Sequence, residues 1–257
     1  MIVCKSAAEL ETMHRAGLIV WGVLDALRHM VRPGLTTLEL NEFAERSAME
    51  KGARPAFKNY RGYPASLCTS LNEEVVHGIP SGKRRLREGD ILSLDFGVEL
   101  DGYYADAAVT IPVGAIRPEL ETLLSVTRGS LDRAIERVRP GSRLGDVSAA
   151  VQEWVEKNGF SIVREFVGHG IGTRMHEEPN VPNYGDPGHG PRLQEGMVFA
   201  IEPMVNAGRP EVRVLEDRWT AVTADGSYSA HFEHSVAVTS NGPWILTRPR
   251  EASGSSW

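Results

Sequence analysis

The chain has no excess of positive charge, no long apolar run and almost no cysteine. Its 257 residues carry 28 Lys and Arg against 34 Asp and Glu, a formal net charge of -6, and the only clustered cations are Lys83, Arg84 and Arg85. Binding a phosphate backbone takes concentrated positive charge, so a direct nucleic-acid function is not indicated. The apolar stretch from Leu18 to Leu24 is too short to span a bilayer and stops at Asp25, and Lys5, Glu9 and Glu11 interrupt the N-terminus. Neither a membrane span nor an export signal is expected, and the cytoplasm is the expected compartment. Two cysteines, Cys4 and Cys68, make no disulfide framework, and reduced thiols are the simpler expectation. No low-complexity segment or long linker interrupts the chain; only the tail 251–257, with its Ser-Gly-Ser-Ser run, reads as disordered. What is present is an apolar fraction of 41%, ample for a buried core.

The sequence also repeats. Shifted by 107 residues, Val31-Arg32-Pro33-Gly34 falls on Val138-Arg139-Pro140-Gly141, Gly52 on Gly159, and Leu86-Arg87-Glu88-Gly89 on Leu193-Gln194-Glu195-Gly196. An ordered series at one offset points to an internal duplication, with a period far too long for a solenoid. Each half opens with two helices, predicted over about Ala7–Met30 and Thr37–Gly52, then Glu119–Val138 and Leu144–Lys157, with Pro-Gly or Gly at their ends. Short apolar or alternating runs follow: Ile91–Phe96, Ala107–Pro112, Met197–Ile201 and His234–Thr239. The expectation is an α+β fold forming one catalytic domain over 1–250, with halves of about 5–112 and 116–240.

At the same offset Asp95 falls on Glu202, so each half ends an apolar strand with a carboxylate. Asp101-Gly102 is a strong hairpin signal that would bring Asp95 and Asp106 side by side. Beside a turn, an Asp usually caps or solvates it; Asp95, however, ends the run Ile91–Leu94, where an unpaired carboxylate is costly to bury. His169 lies between glycines in Gly168-His169-Gly170-Ile171-Gly172. No Lys-Ser/Thr follows, which argues against a phosphate cradle. His176, Glu233 and His77, the last in His77-Gly78-Ile79, would each be unremarkable alone. Together, four carboxylates and an imidazole supply the ligand types of a two-metal hydrolase.

The ordered set Cys68-Thr69-Ser70-Leu71-Asn72-Glu73-Glu74-Val75-Val76-His77-Gly78-Ile79-Pro80, Asp95, Asp106, Gly168-His169-Gly170-Ile171-Gly172, His176-Glu177-Glu178-Pro179, Phe199-Ala200-Ile201-Glu202-Pro203 and His231-Phe232-Glu233-His234-Ser235 resembles the type I methionine aminopeptidases, in their minimal bacterial form. The resemblance implies the pita-bread fold, two pseudo-symmetric halves around a central antiparallel sheet. It implies metal ligation of two divalent ions (Co, Mn, Fe or Zn) by Asp95, Asp106, His169, Glu202 and Glu233, attack by a metal-bridging hydroxide, substrate contacts from His77 and His176, and Glu202 as proton carrier. It places the methionine side chain among Phe57, Tyr60, Tyr63, Cys68, Met175 and Trp219, and a monovalent cation near Asn72, Glu74 and Ser229. Relatives often carry an aromatic residue at the Met175 position, and some a cysteine at the Phe57 position, which puts pocket shape in question. The implied substrates are N-termini of nascent polypeptides with a small second residue, met by a monomer in transient proximity to the ribosome.

Two rivals stand beside this reading. A proline-directed peptidase of the same fold would share the five ligands but normally adds a substantial N-terminal domain. A metal-free binding protein on this scaffold would normally have lost ligands, and none is missing.

Overall fold

In a computed structural model, residues 2–250 are described; the tail 251–257 expected to be disordered lies outside them. Four helices, α1 (Ala7–Met30), α2 (Thr37–Glu50), α3 (Pro118–Glu136) and α4 (Leu144–Lys157), pack around a nine-stranded sheet. Local chemistry sets their starts. Ser6 accepts the Glu9 N–H while the Glu9 carboxylate accepts the Ser6 N–H, and Thr36 with Glu39 repeats the capping box at α2. Pro118 stands at the first turn of α3, where its missing N–H costs nothing. This helix ends two residues before the predicted Val138, because Arg137 already closes the last turn onto Ala134 and Ile135.

The sheet runs Arg54–Pro55, Ile91–Leu100, Tyr103–Pro112, Glu233–Thr239, Val198–Ile201, Gly168–Gly170 and Glu177–Val181, with Cys68–Leu71 added beside Ile91–Leu100 and Gly242–Ile245 beside Glu233–Thr239. Every pairing within it is antiparallel. Helix α1 lies across the Ile91–Leu100 and Tyr103–Pro112 hairpin, and α3 packs on α4. At Gly17, α1 passes so close to the C-terminal segment that a Cβ would lie 2.2 Å from the Leu246 carbonyl oxygen, so any side chain would force the helix off the sheet.

The duplication is visible atom by atom. Gly34 N–H donates to the Leu86 carbonyl at 2.8 Å and Gly141 N–H to the Leu193 carbonyl at 3.0 Å. The isolated bridges Thr36 to Arg85 and Arg143 to Arg192 stand at the same offset, and so do the left-handed glycines Gly34 and Gly141, Gly52 and Gly159, Gly89 and Gly196. The glycine-flanked His169 sits on a strand. Gly168 and Gly170 are needed there because neighbouring strands press in: a Cβ would lie 2.3 Å from the Ala200 oxygen at the first and 2.2 Å from the Glu178 oxygen at the second.

Candidate active site

Asp101 and Gly102 both take positive φ, 52° and 83°, and form the two-residue turn that pairs Leu100 with Tyr103. That register sets Asp95 opposite Ala108 and Asp106 opposite Gly97, so both carboxylates leave the same face of the hairpin. Glu233 begins the next strand, opposite Ala108, and Glu202 follows Val198–Ile201. His169 pairs with Ala200 on that strand. Residues far apart in the chain thereby converge on one face of the sheet's centre. One ligand atom each from Asp106, His169 and Glu233 lies within 4.8 Å of the others. Asp95 flanks Asp106 across the hairpin, and Glu202 Oε1 stands 3.6 Å from His169 Nε2.

The electrostatics are those of a site built for positive charge. Burial pushes Asp106, Glu202 and Glu233 well above the usual carboxylate range, and neighbouring carboxylates push them further. Asp95 rises to about 7, again through burial. Asp95 Oδ1, Asp106 Oδ1 and Glu233 Oε1 are buried with no hydrogen-bond partner among the described residues. Orphaned acceptors of this kind cost free energy unless a cation or proton answers them. Burial lowers His169 to about 4, so its ring is neutral. Its Nδ1 lies 2.9 Å from the Gly170 carbonyl oxygen; a carbonyl only accepts, so Nδ1 carries the proton and the Nε2 lone pair faces the acids. Four carboxylates and an imidazole lone pair fit divalent cations by donor type and by charge.

A cavity of about 150 Å³ takes in this cluster and an apolar slot beside it. Its lining includes every predicted pocket residue, Phe57, Tyr60, Tyr63, Cys68, Met175 and Trp219, together with His77, His176 and all five acid and imidazole groups. Tyr63 meets the Trp219 ring edge-on at 5.1 Å, and its hydroxyl donates to the Gly78 carbonyl at 2.9 Å, which fixes the wall that Cys68 continues. Phe57, Tyr63, Cys68 and Met175 also belong to a core cluster with Leu10, Met13 and Ile171, so the slot is an unfilled corner of packed core. His176 stacks on Tyr60 at 5.3 Å, with Nδ1 2.9 Å from the Tyr60 hydroxyl. His77, half-buried with φ 62°, is lowered to about 4 by desolvation; His176 is the more exposed of the two, and partial desolvation with the neighbouring His169 lowers it as well. Both are neutral near pH 7.

Three residues were not anticipated. Arg61 brings a guanidinium to the rim, 5.4 Å above the Tyr60 ring. Gly97 underlies three of the lining residues: a Cβ there would lie 2.9 Å from Phe57 Cε1 and 3.2 Å from both Asp106 Oδ1 and Met175 Cε. His231 is buried with its Nε2 3.9 Å from Glu202 Oε2. Gly97 stands two residues from Asp95 on the same strand, the spacing that shares a strand face, whereas His231 ends the strand before the one that Glu233 begins. The proposed monovalent-cation residues also meet, Ser229 N–H donating to the Asn72 carbonyl at 2.8 Å, but the Glu74 carboxylate is engaged by the Leu71 N–H and the Arg84 guanidinium.

This geometry agrees with what the chain is similar to. Residues 11–240 match the model of metallopeptidase family M24. The chain belongs to that family. As an M24 metallopeptidase it is a hydrolase, and the family implies divalent metal ions at the acid cluster. Methionine aminopeptidase 1 of Bacillus subtilis is 51% identical over 248 residues, covering 96% of this chain and 100% of the relative. The crystal structure of methionine aminopeptidase from Thermotoga maritima superposes with a TM-score of 0.95 at 47% identity, covering 97% of this chain and 100% of that one. The prolidase from Pyrococcus horikoshii shares the M24 fold, with a TM-score of 0.77 at 23% identity, but this chain spans only 65% of its length. The pita-bread architecture expected from the sequence is thus the one found.

Proposed function

We propose that the chain is a dinuclear metal-dependent methionine aminopeptidase, removing the N-terminal methionine when the next residue is small. The observation that carries this reading is the juxtaposition of an acid and imidazole cluster with an apolar slot walled by Phe57, Cys68, Met175 and Trp219. Full-length similarity to methionine aminopeptidases supports it over a proline-directed peptidase.

Asp95, Asp106, His169, Glu202 and Glu233 would hold two divalent cations, of Mn(II), Fe(II), Co(II) or Zn(II). When bound, such ions acidify water and polarise a carbonyl near neutral pH. The rest falls to the chain. The slot takes an unbranched thioether, where sulfur against the edges of Phe57, Tyr63 and Trp219 is worth roughly 0.3 to 1.5 kcal/mol per contact. The aromatic walls exclude water from the scissile bond. A Tyr60 hydroxyl that donates to His176 Nδ1 would leave the His176 proton on Nε2, ready to donate to the oxygen of the scissile carbonyl. His77, half-buried and neutral, offers a second N–H to the peptide. Glu202 takes the proton from the attacking water and returns it to the departing amine nitrogen as the C–N bond breaks. A monovalent cation beside Asn72 and Ser229 would share Glu74 with Arg84.

The reading extends to the setting: a monomer acting in the cytoplasm on nascent N-termini, close to the ribosome. Among the described residues no helix is long and apolar enough to cross a membrane. The deciding experiment is release of free methionine from Met-Ala-Ser, Met-Lys-Ser and an X-Pro peptide by chelator-stripped protein, with each metal restored singly under anaerobic, reducing conditions. Metal-dependent cleavage of Met-Ala-Ser alone is expected. Cleavage of the X-Pro peptide alone would transfer the chain to the proline-directed peptidases, and no cleavage by folded, metal-loaded protein would leave a binding protein.

A further inference from the structure

We propose that His231 is a positioning residue for Glu202: its Nε2–H donates to Glu202 Oε2 and turns the opposite oxygen, Oε1, toward the cation-binding cluster. The inference rests on the reading of Glu202 as a cation ligand and proton carrier.

The Glu202 carboxylate is bracketed by two imidazoles that differ in what they present. On one side, His169 Nε2 lies 3.6 Å from Oε1. The His169 proton is committed to the Gly170 carbonyl through Nδ1, so a lone pair faces an oxygen, a pairing that repels unless a cation or proton lies between. On the other side, His231 Nε2 lies 3.9 Å from Oε2. Neither His231 nitrogen has a hydrogen-bond partner among the described residues, and the ring is 1% exposed. Its proton is therefore free to sit on Nε2. The separation exceeds a hydrogen bond, and a small rotation of the carboxylate closes it. The asymmetry assigns Oε1 to the cation side and Oε2 to His231.

The backbone beneath the ring is held so that it cannot drift. His231 N–H donates to Thr110 Oγ1 at 2.8 Å, and the Thr110 hydroxyl donates to the His231 carbonyl at 2.8 Å. Ser93 Oγ lies 2.8 Å from Thr110 Oγ1, which ties the arrangement to the hairpin strand that carries Asp95. His231 also pairs with Met204, two residues beyond Glu202. Donor and acceptor thus sit on neighbouring, mutually fixed segments, the arrangement by which an outer hydrogen bond orients a metal-ligating carboxylate.

The test compares His231→Leu, of similar bulk without a donor, with His231→Gln, which restores an N–H at similar reach. Mn(II) is titrated calorimetrically into chelator-stripped protein, kcat and KM are measured on Met-Ala-Ser, and Tm is recorded without metal. The Leu variant is expected to bind Mn(II) about 10- to 100-fold more weakly, with kcat falling more than KM changes; Gln is expected to recover most of both. The metal-free Tm should be alike in the two variants. Parent-like Mn(II) affinity and kcat in the Leu variant would overturn the proposal, as would equal impairment of Leu and Gln. If the Leu variant does not fold, His231→Asn, whose amide is too short to reach Glu202, takes its place against Gln with the same expectations. Should the parent release no methionine from any peptide, the peptidase reading fails, while the Mn(II) titration still decides for or against His231.

Discussion

At the scale of single residues, the acid cluster separates groups that hold charge from groups that handle substrate. Asp106 is buried among carboxylates at the middle of the set, so Asp106→Ala should lose metal and turnover together. His77 lines the same cavity from outside the acid group; His77→Ala should retain metal and lose about 10²- to 10⁴-fold in turnover. Metal analysis beside methionine release checks both, and full activity in either variant contradicts the assigned roles. Gly97→Ala tests the slot. Its methyl group would intrude between Phe57 and Met175 and should reduce kcat/KM on Met-Ala-Ser by roughly tenfold or more, with little change in Tm. An unchanged kcat/KM would mean that Gly97 does not shape the slot. The period of two along a strand could have singled out Gly97 from Asp95, because both side-chain positions share a face. His231 was harder to find, since a lone histidine beside a ligand is usually an ordinary polar residue, and its neighbour Glu202 lies in another segment, between two strands.

At the scale of elements, boundaries that depend on local chemistry were legible. Pro33-Gly34 after α1, Gly52 after α2 and Gly159 after α4 stop these helices within two residues of where the sequence predicts, and Asp101-Gly102 sets the hairpin register. The His169 segment was not legible as a strand, because what demands its glycines is the approach of the Ala200 and Glu178 carbonyls from elsewhere in the chain. The turn from Ile171 to Glu177, which presents Met175 and His176, is held in a similarly nonlocal way. Lys5 Nζ meets Glu177 Oε2 at 2.7 Å with both side chains about 5% exposed or less, and Glu177 Oε1 accepts the Arg174 N–H at 3.2 Å. Lys5→Met would leave that carboxylate buried without its cation, at a cost of about 3–5 kcal/mol. Adding Glu177→Gln should recover part of it. Urea unfolding measures both, and a loss in the single variant below about 1 kcal/mol would mean that water reaches Glu177 freely.

At the scale of the whole molecule, the site trades stability for affinity. Without cations, Asp106, Glu202 and Glu233 keep protons that the unfolded chain releases. A carboxylate raised in the folded state makes stability fall as pH rises between its unfolded and folded values. Histidines lowered by burial, such as His77 and His169 at about 4, act oppositely, but only below about pH 6.5, where the unfolded chain still takes up their protons. The carboxylates therefore govern the pH range above about 6.5, beginning with Asp95 at about 7. Metal-free Tm should fall across it, and the rise in Tm on adding Mn(II) should grow, because cations and protons compete for the same oxygens. Calorimetric scans across that range check this; a metal-free Tm that rises there would show that the buried acids are already ionised and compensated.

By itself the sequence determined the duplication, the four helices, the hairpin and the ligand types, since each is written in local periodicity, turn residues or side-chain chemistry. Only the tertiary structure decided which groups share the cavity, that Gly97 leaves the slot open, that Glu202 stands between two imidazoles, and that Lys5 reaches Glu177. Those depend on distances between segments well separated along the chain, or on which neighbour fills a given volume, and local spacing carries no information about either.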